Sequence, residues 1–189
     1  MCTLISKAGM YFLARLGQTR VFRIFGAPGV PLTATEIAEA VERLSRSAAG
    51  AIIAVERDVR LDDYLESGTT MKATVSADLL ATIFSPYSPL HDGAVIVRGD
   101  QIIGAGCILP LTQHPVSDKS LGTRHRAALG LSEETDALIL VVSEETASIS
   151  VAHQGQLRRQ LSPDDVRMVL SGQVAPGAPM IESVSPPQT

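Results

Sequence analysis

Three short runs of this sequence are apolar at every position. They are Ala51–Val55, Ala94–Val97 and Ala137–Val142. Apolar runs of four to six residues, rich in β-branched side chains, are typical of strands that are covered on both faces. Segments with helical periodicity lie between them. The pattern therefore predicts an α/β domain in which helices cover both faces of a central sheet.

Two predicted hairpins indicate that this sheet is mixed rather than all parallel. Gly99-Asp100 connects the second apolar run to Gln101–Leu109, and Gln154-Gly155 connects Ser148–Ala152 to Gln156–Leu157. Short turns of this kind join antiparallel neighbours. A mixed, twisted central sheet flanked by helices is thus the expected fold, in preference to a doubly wound parallel sheet.

The helices are predicted from their caps and breakers. They are Thr33 to about Ser47, Ala77–Phe84, Thr123–Leu129 and Ser162 to about Gly172. Thr33 and Glu36 have the spacing of a capping box at the start of the first helix. Gly130 is placed to end the third helix.

The chain divides into three parts. The breaker Gly26-Ala27-Pro28-Gly29-Val30-Pro31 separates residues 1–31 from a body at 32–172, and the Pro-rich residues 173–189 are predicted to be a flexible tail. Residues 1–35 carry four basic and no acidic residues, whereas the rest carries 12 basic and 20 acidic ones. The net charge of −4 hence combines a +4 head with a −8 body. Such a balance argues against general nucleic-acid binding.

The head is unusual because basic and aromatic residues are interleaved. Four of the seven aromatic residues of the chain fall within the first 25 positions. A helix of this composition can lie on an anionic membrane surface, or it can pack on its own domain or on a regulator; both interpretations stay open. No apolar run approaches the ~20 residues that span a bilayer. With Cys2 and Cys107 in no ligand pattern, a cytoplasmic protein is expected, with the inner face of the membrane as an option.

Three polar stretches interrupt the apolar elements and are the candidates for chemistry. The first is Pro89-Leu90-His91-Asp92-Gly93-Ala94, at the start of a strand. Adjacent His and Asp side chains beside a glycine could bind a divalent cation or position a hydroxyl group. An ordinary turn capped by Asp92 has the same pattern, and the local residues alone favour the turn.

The second stretch is Gly122-Thr123-Arg124-His125-Arg126, the densest positive charge in the acidic body. Helix amides, a hydroxyl and guanidinium groups at a helix N-terminus favour a polyphosphate, although a solvated basic turn would have the same composition. The third is Ser143-Glu144-Glu145, directly after the strand at 137–142. Hydroxyl and carboxylate groups at the end of a strand are typical of ligand sites in α/β sheets, and equally of plain polar strand exits.

Taken together, the stretches resemble the diadenylate cyclase (DAC) domain, over about residues 35–170. The first matches the "DGA" motif of the family and the second its "RHR" motif. Supporting matches are Gly50-Ala51-Ile52-Ile53, Leu109-Pro110-Leu111 and Ser143-Glu144-Glu145-Thr146. The resemblance is strongest to the membrane-associated bacterial subgroup, and it implies the same mixed sheet wrapped by helices.

The resemblance also implies a function, which is the condensation of two ATP into cyclic di-AMP and two pyrophosphates in a face-to-face dimer that depends on Mn²⁺ or Mg²⁺. In this assignment Asp92 and Gly93 are catalytic. The residues implied in ATP binding are Ala94, Leu109 (through its backbone, to adenine), Gly122, Thr123, Arg124, His125, Arg126 and Ser143. The implied metal ligands are His91, Asp92 and Glu144.

Two departures from the subgroup's pattern stand out. Ile108 occupies the position where the subgroup often has a tyrosine beside adenine. The subgroup also usually carries three transmembrane helices before the domain, and residues 1–31 resemble the juxtamembrane segment that follows them. A non-catalytic nucleotide-binding regulatory module with the same fold is therefore the alternative prediction.

Overall fold

The computed structural model describes residues 31–114 and 121–173. Within these ranges seven strands form one sheet, in the order β2-β4-β3-β1-β5-β6-β7. The strands are β1 (Ala51–Val55), β2 (Thr69–Thr74), β3 (Ala94–Arg98), β4 (Gln101–Cys107), β5 (Leu138–Val142), β6 (Ile149–His153) and β7 (Gln156–Arg158). The pair β1 and β3 is parallel, and the other described pairs are antiparallel. The predicted mixed sheet is thus confirmed, together with both hairpins.

The helices lie on both faces of this sheet. They are α1 (Leu32–Arg46), α2 (Asp62–Leu65), α3 (Ala77–Ile83), α4 (Thr123–Glu134) and α5 (Pro163–Leu170). Helices α1, α3 and α5 pack on one face, in a core that contains Ile53 of the central strand. Helix α4 packs on the other face, in a core that contains the next residue back, Ile52. Because both faces are covered, the central strands β1, β3 and β5 are apolar at nearly every position.

The predicted capping box at the start of α1 is wrong. The helix begins at Leu32 after Pro31, and no side chain caps it. The Glu36 carboxylate instead accepts a hydrogen bond of 2.7 Å from the backbone N–H of Ala77, at the start of α3. A tertiary partner has therefore replaced the local one that the spacing indicated. By contrast, Ser162 and Asp165 form a complete capping box at α5.

The predicted end of α4 at Gly130 is also wrong, because the helix continues to Glu134. A Cβ at Gly130 would lie 2.2 Å from the carbonyl oxygen of Pro110. The glycine therefore serves close packing of the helix on the 110–112 segment and not termination. This contact holds the C-terminal half of α4 against the segment that follows β4.

Strand β2 escaped sequence prediction. Its residues are either exposed or only partly buried, and the strand pairs only with β4 at the edge of the sheet. Without a buried face, an edge strand lacks the apolar pattern that reveals central strands.

The predictions for the basic head at 1–31 and for the tail at 173–189 fall outside the described residues, except for Pro31 and Gln173. None of the helices in the described ranges is long and apolar enough to cross a bilayer.

Candidate active site

A cavity of about 810 Å³ opens at one edge of the sheet. At this edge β1 and β3 begin and β4 and β5 end, as the parallel and antiparallel pairings require. Helix α4 starts at the same edge, with Gly122 and Thr123 lining the cavity. The volume falls within the range of small-molecule sites, about 300–1,000 Å³. The topology thus brings the three polar stretches of the sequence to one place.

Asp92 and Gly93 line the cavity just before β3. Asp92 is exposed, whereas Gly93 is pressed against β4 and has a φ of +142°. A Cβ at Gly93 would lie 2.5 Å from the carbonyl carbon of Gly106. A side chain at position 93 would therefore meet backbone that cannot move aside, so a glycine is needed to place the Asp92 carboxylate at this edge.

The N-terminus of α4 forms a second wall. Its N-cap residue is Gly122, and no described side chain caps the first-turn amides. Thr123, Arg124 and His125 line the cavity from this turn. Amides and the helix dipole at such an end favour an anion. His125 is 6% exposed, and its Nε2 lies 3.4 Å from the Ser150 hydroxyl, so its ring is packed under the site.

The third wall is the turn that follows β5. Ser143 accepts hydrogen bonds from Ala147 and Thr146, at its carbonyl and its hydroxyl, and its own N–H donates to Ser148. These bonds close the turn and leave Ser143 and Glu144 lining the cavity. The Glu144 Oε2 lies 2.9 Å from Nη1 of Arg124. The second and third stretches are therefore joined by an ion pair at the cavity wall.

The end of β4 supplies the most apolar part of the wall, through Cys107, Ile108 and Leu109. Ile108 is 72% exposed, and its N–H donates to the Ser67 hydroxyl at 2.9 Å. Burial raises the pKa of the Cys107 thiol, which keeps it protonated and a poor nucleophile. This wall suits a flat, apolar group of a ligand.

Two predicted site residues lie apart from the cavity. His91 does not line it, and its Nδ1 donates to the Ser88 carbonyl at 2.6 Å, which leaves Nε2 as the acceptor atom of the ring. Arg126 is exposed and also lies outside the lining. The predicted ligands His91, Asp92 and Glu144 form no cluster, since no group of three or more His, Cys, Asp or Glu side chains among the described residues is arranged to hold a metal ion.

Three lining residues with a charged or hydroxyl side chain were not predicted as site residues: Glu145, Thr146 and Arg159. The first two belong to the Ser143-Glu144-Glu145-Thr146 match of the sequence analysis, which assigned them no role of their own. Arg159 directly follows β7, the edge strand of the sheet that is last in the chain. Its one signal in the sequence is the pair of basic residues that it forms with Arg158. Of the described residues, two arginines and three carboxylates line the cavity, which leaves it with a formal charge of −1.

Comparison with known proteins connects this geometry to a family. The family model described as "DisA bacterial checkpoint controller nucleotide-binding", abbreviated DAC, matches residues 38–157. The cyclic di-AMP synthase CdaA of Bacillus subtilis is 43% identical over 164 residues, which are 85% of this chain and 60% of that protein. A diadenylate cyclase of Listeria monocytogenes is 42% identical over 162 residues, 84% of this chain and 59% of that protein. The chain thus spans about 60% of the length of these relatives.

Two solved structures share the fold. A double mutant of DacA from Staphylococcus aureus superposes with a TM-score of 0.72 at 43% identity, covering 74% of this chain and 93% of that one. A Bacillus cereus protein described as a hypothetical membrane spanning protein gives a TM-score of 0.67 at 43% identity, covering 85% of this chain and 80% of that one. The family model covers well over half of the sequence and includes all three polar stretches. The chain therefore belongs to the diadenylate cyclase family.

Proposed function

We propose that this protein condenses two molecules of ATP into cyclic di-AMP and releases two pyrophosphates. The observation that carries the proposal is the cavity, which gathers Asp92, Gly93, the start of α4 and the Ser143-Glu144 turn from three distant parts of the chain. The names of the relatives, cyclic di-AMP synthase and diadenylate cyclase, support the same reaction.

The chemistry requires two identical substitutions. In each, the ribose 3′-oxygen of one ATP attacks the α-phosphorus of the other, a P–O bond forms, and the bond to pyrophosphate breaks. The 3′-hydroxyl loses its proton. The exposed carboxylate of Asp92, which lines the cavity just before β3, would accept it. Since one chain contributes one such cavity from its described residues, two chains would face each other to bring both nucleotides into line.

The phosphates would lie along the start of α4. Thr123 supplies a hydroxyl, the first-turn amides supply N–H donors, and the Arg124 guanidinium supplies positive charge, all at the cavity wall. Ser143 would donate from the opposite side. Leu109 and Ile108 would contact the base, with an aliphatic side chain taking the place of an aromatic one.

The charge of the cavity supports a requirement for Mn²⁺ or Mg²⁺. A triphosphate entering a site of formal charge −1 is repelled unless a cation accompanies it. Asp92 and Glu144 are the predicted ligands that line the cavity, and one or two carboxylates with substrate phosphates are the usual set for Mg²⁺. This donor set fits a cation that arrives with the nucleotide, and bound there it would neutralise charge on the phosphates.

The proposal is tested by Asp92→Asn in the full chain, with Asp100→Asn in the β3–β4 turn as a matched control. We expect Asp92→Asn to lower the rate of cyclic di-AMP formation by roughly 100-fold or more, because the proton acceptor is lost. The free energy of unfolding should stay unchanged. Product is quantified by mass spectrometry after incubation with ATP and Mn²⁺ or Mg²⁺. Wild-type turnover in Asp92→Asn would contradict the role of Asp92. ATP binding without product in the wild type would instead favour the non-catalytic regulatory module.

A further inference from the structure

Gly50, the residue directly before β1, has no role in the site as described so far. It does not line the cavity, yet it lies against the two side chains that join the cavity walls. A Cβ at position 50 would be 2.6 Å from Nη1 of Arg124, 2.8 Å from its Cζ, and 2.9 Å from Oε2 of Glu144. Cβ atoms in proteins essentially never lie closer than 3.0 Å to another such heavy atom.

The obstacle at Gly50 differs in kind from the one at Gly93. At Gly93 the neighbouring atoms are backbone and φ is +142°, so any side chain there strains the fold itself. At Gly50 the neighbouring atoms are the ends of two flexible side chains, and φ lies outside the left-handed region. An added methyl group at position 50 is therefore compatible with the backbone, and what must move is the guanidinium and the carboxylate.

We propose that Gly50 is a positioning residue of the phosphate site. Its missing side chain is the space in which the Arg124 guanidinium lies against the start of β1 and pairs with Glu144. The pair is held between a rigid central strand and the cavity, with the Arg124 side chain 26% exposed and the Glu144 side chain 60% exposed. The inference rests on the proposed function, because it assigns Arg124 to the phosphates.

The consequence is a selective sensitivity at position 50. Any side chain there displaces Arg124 and Glu144 together, and it does so from behind the cavity, without touching the bound nucleotide. Because hydrogen bonds to charged groups depend on donor position, we expect Gly50→Ala to weaken nucleotide binding by roughly tenfold, and Gly50→Val by more. The thermal midpoint of unfolding is expected to stay close to that of the wild type.

The test uses the full chain and 3′-deoxy-ATP with Mg²⁺, a probe that binds as ATP does but lacks the hydroxyl needed for reaction. Dissociation constants are measured by calorimetry for the wild type and for Gly50→Ala. Gly99→Ala is the matched control, since Gly99 lies in the β3–β4 turn with nothing within 4 Å of its added Cβ and a φ of +61°. That control should lower stability slightly and leave affinity unchanged.

A double-mutant cycle separates positioning from a general structural effect. We expect the affinity loss of Gly50→Ala to be much smaller in the Arg124→Ala background, because the guanidinium is then absent and only the Glu144 carboxylate is left to be displaced. Three results would each overturn the role of Gly50: unchanged affinity in Gly50→Ala, an equal ratio of dissociation constants in both backgrounds, or failure of Gly50→Ala to fold. Unchanged affinity in Arg124→Ala would instead overturn the phosphate assignment of the proposed function, and with it this inference.

Discussion

The central strand β1 has an Arg–Glu pair beyond each of its ends, and the two pairs are built differently. Beyond the C-terminal end, Glu56 pairs with Arg98; the Glu56 side chain is 3% exposed and that of Arg98 is 29% exposed. Beyond the N-terminal end, Arg124 pairs with Glu144 over Gly50, and the Glu144 side chain is 60% exposed. We call the buried pair of Glu56 and Arg98 the closed pair, and the more exposed pair of Arg124 and Glu144 the open pair.

The closed pair is saturated with partners. Glu56 accepts hydrogen bonds of 2.7 and 2.8 Å from Arg98 and one of 3.0 Å from the backbone N–H of Leu61. Burial by itself would raise the pKa of Glu56, but the hydrogen bonds from Arg98 and Leu61 outweigh it and lower the pKa. All of these partners belong to the fold, so this pair stabilises the end of β1 and the loop before α2.

The open pair leaves carboxylate and guanidinium surface facing the cavity. Solvent screens such a pair, and its net contribution to folding is small, about 0–1 kcal/mol. The comparison teaches that burial and saturation decide what an Arg–Glu pair does. The closed pair serves stability, and the open pair is able to exchange its partner for a phosphate or a cation.

The largest expected effect comes from removing the positively charged side chain of the open pair, Arg124. Arg124→Ala should weaken binding of 3′-deoxy-ATP by roughly 10- to 100-fold, because a charge-assisted contact to the phosphates is lost. Calorimetry gives the affinity, and Arg46→Ala is the control, since Arg46 is exposed and pairs with Glu42 on α1. Unchanged affinity in Arg124→Ala would remove the distinction between the two pairs.

Breaking the closed pair should have the opposite signature. Glu56→Gln is expected to lower the free energy of unfolding by about 2 kcal/mol, because the Arg98 guanidinium loses its buried charged partner and keeps only the exposed carboxylate of Asp62. Urea unfolding measures this loss, and nucleotide affinity should not change. Glu42→Gln on α1 is the matched control, with an expected change within about 0.5 kcal/mol. A loss of affinity equal to that of Arg124→Ala would contradict the separation of roles.

The pH dependence of stability sharpens the same point. Since the folded-state pKa of Glu56 is lowered, its contribution is fully present above the unfolded-state value and is lost as pH falls through the folded-state value. The stability difference between wild type and Glu56→Gln should therefore be constant near neutral pH and shrink below the ordinary glutamate pKa of about 4.3. Urea unfolding at several pH values measures it. A difference that grows on acidification would contradict the direction of the shift.

The smallest effect is expected at the acidic partner of the open pair. Glu144→Gln should raise the affinity for 3′-deoxy-ATP without metal by roughly fivefold, because one negative charge near the phosphates disappears. With Mg²⁺ the variant should gain less affinity from the metal than the wild type does. Calorimetry with and without Mg²⁺ measures both values, and Glu66→Gln, directly after α2, is an exposed control. Equal gains from Mg²⁺ in the variant and the wild type would exclude Glu144 from metal binding.

The sequence predicts those parts of the fold whose causes are local. Strands β1, β3 and β5 are recognisable because both faces are buried, and the hairpins are recognisable from Gly99 and Gly155. The three polar stretches that meet at the cavity could also be named beforehand, although the sequence does not show which side chains reach it. His91 and Arg126 belong to the motifs but do not line the cavity.

The features that escaped prediction depend on tertiary contacts. Glu36 has the spacing of a capping residue, but its carboxylate binds the start of α3. Gly130 has the pattern of a helix terminator, but its missing side chain accommodates the Pro110 carbonyl. Arg159 reaches the cavity only because β6 and β7 fold back along β5. In each case the partner lies far away in sequence, where no local rule can find it.

The central claim, that the cavity joins two ATP molecules, is tested most directly by product analysis of the purified full chain. ATP is supplied with Mn²⁺ or Mg²⁺, and the products are measured by mass spectrometry. The account predicts cyclic di-AMP and pyrophosphate in a ratio of one to two, with no product when the metal is removed. Nucleotide binding without any cyclic di-AMP under either metal would contradict it.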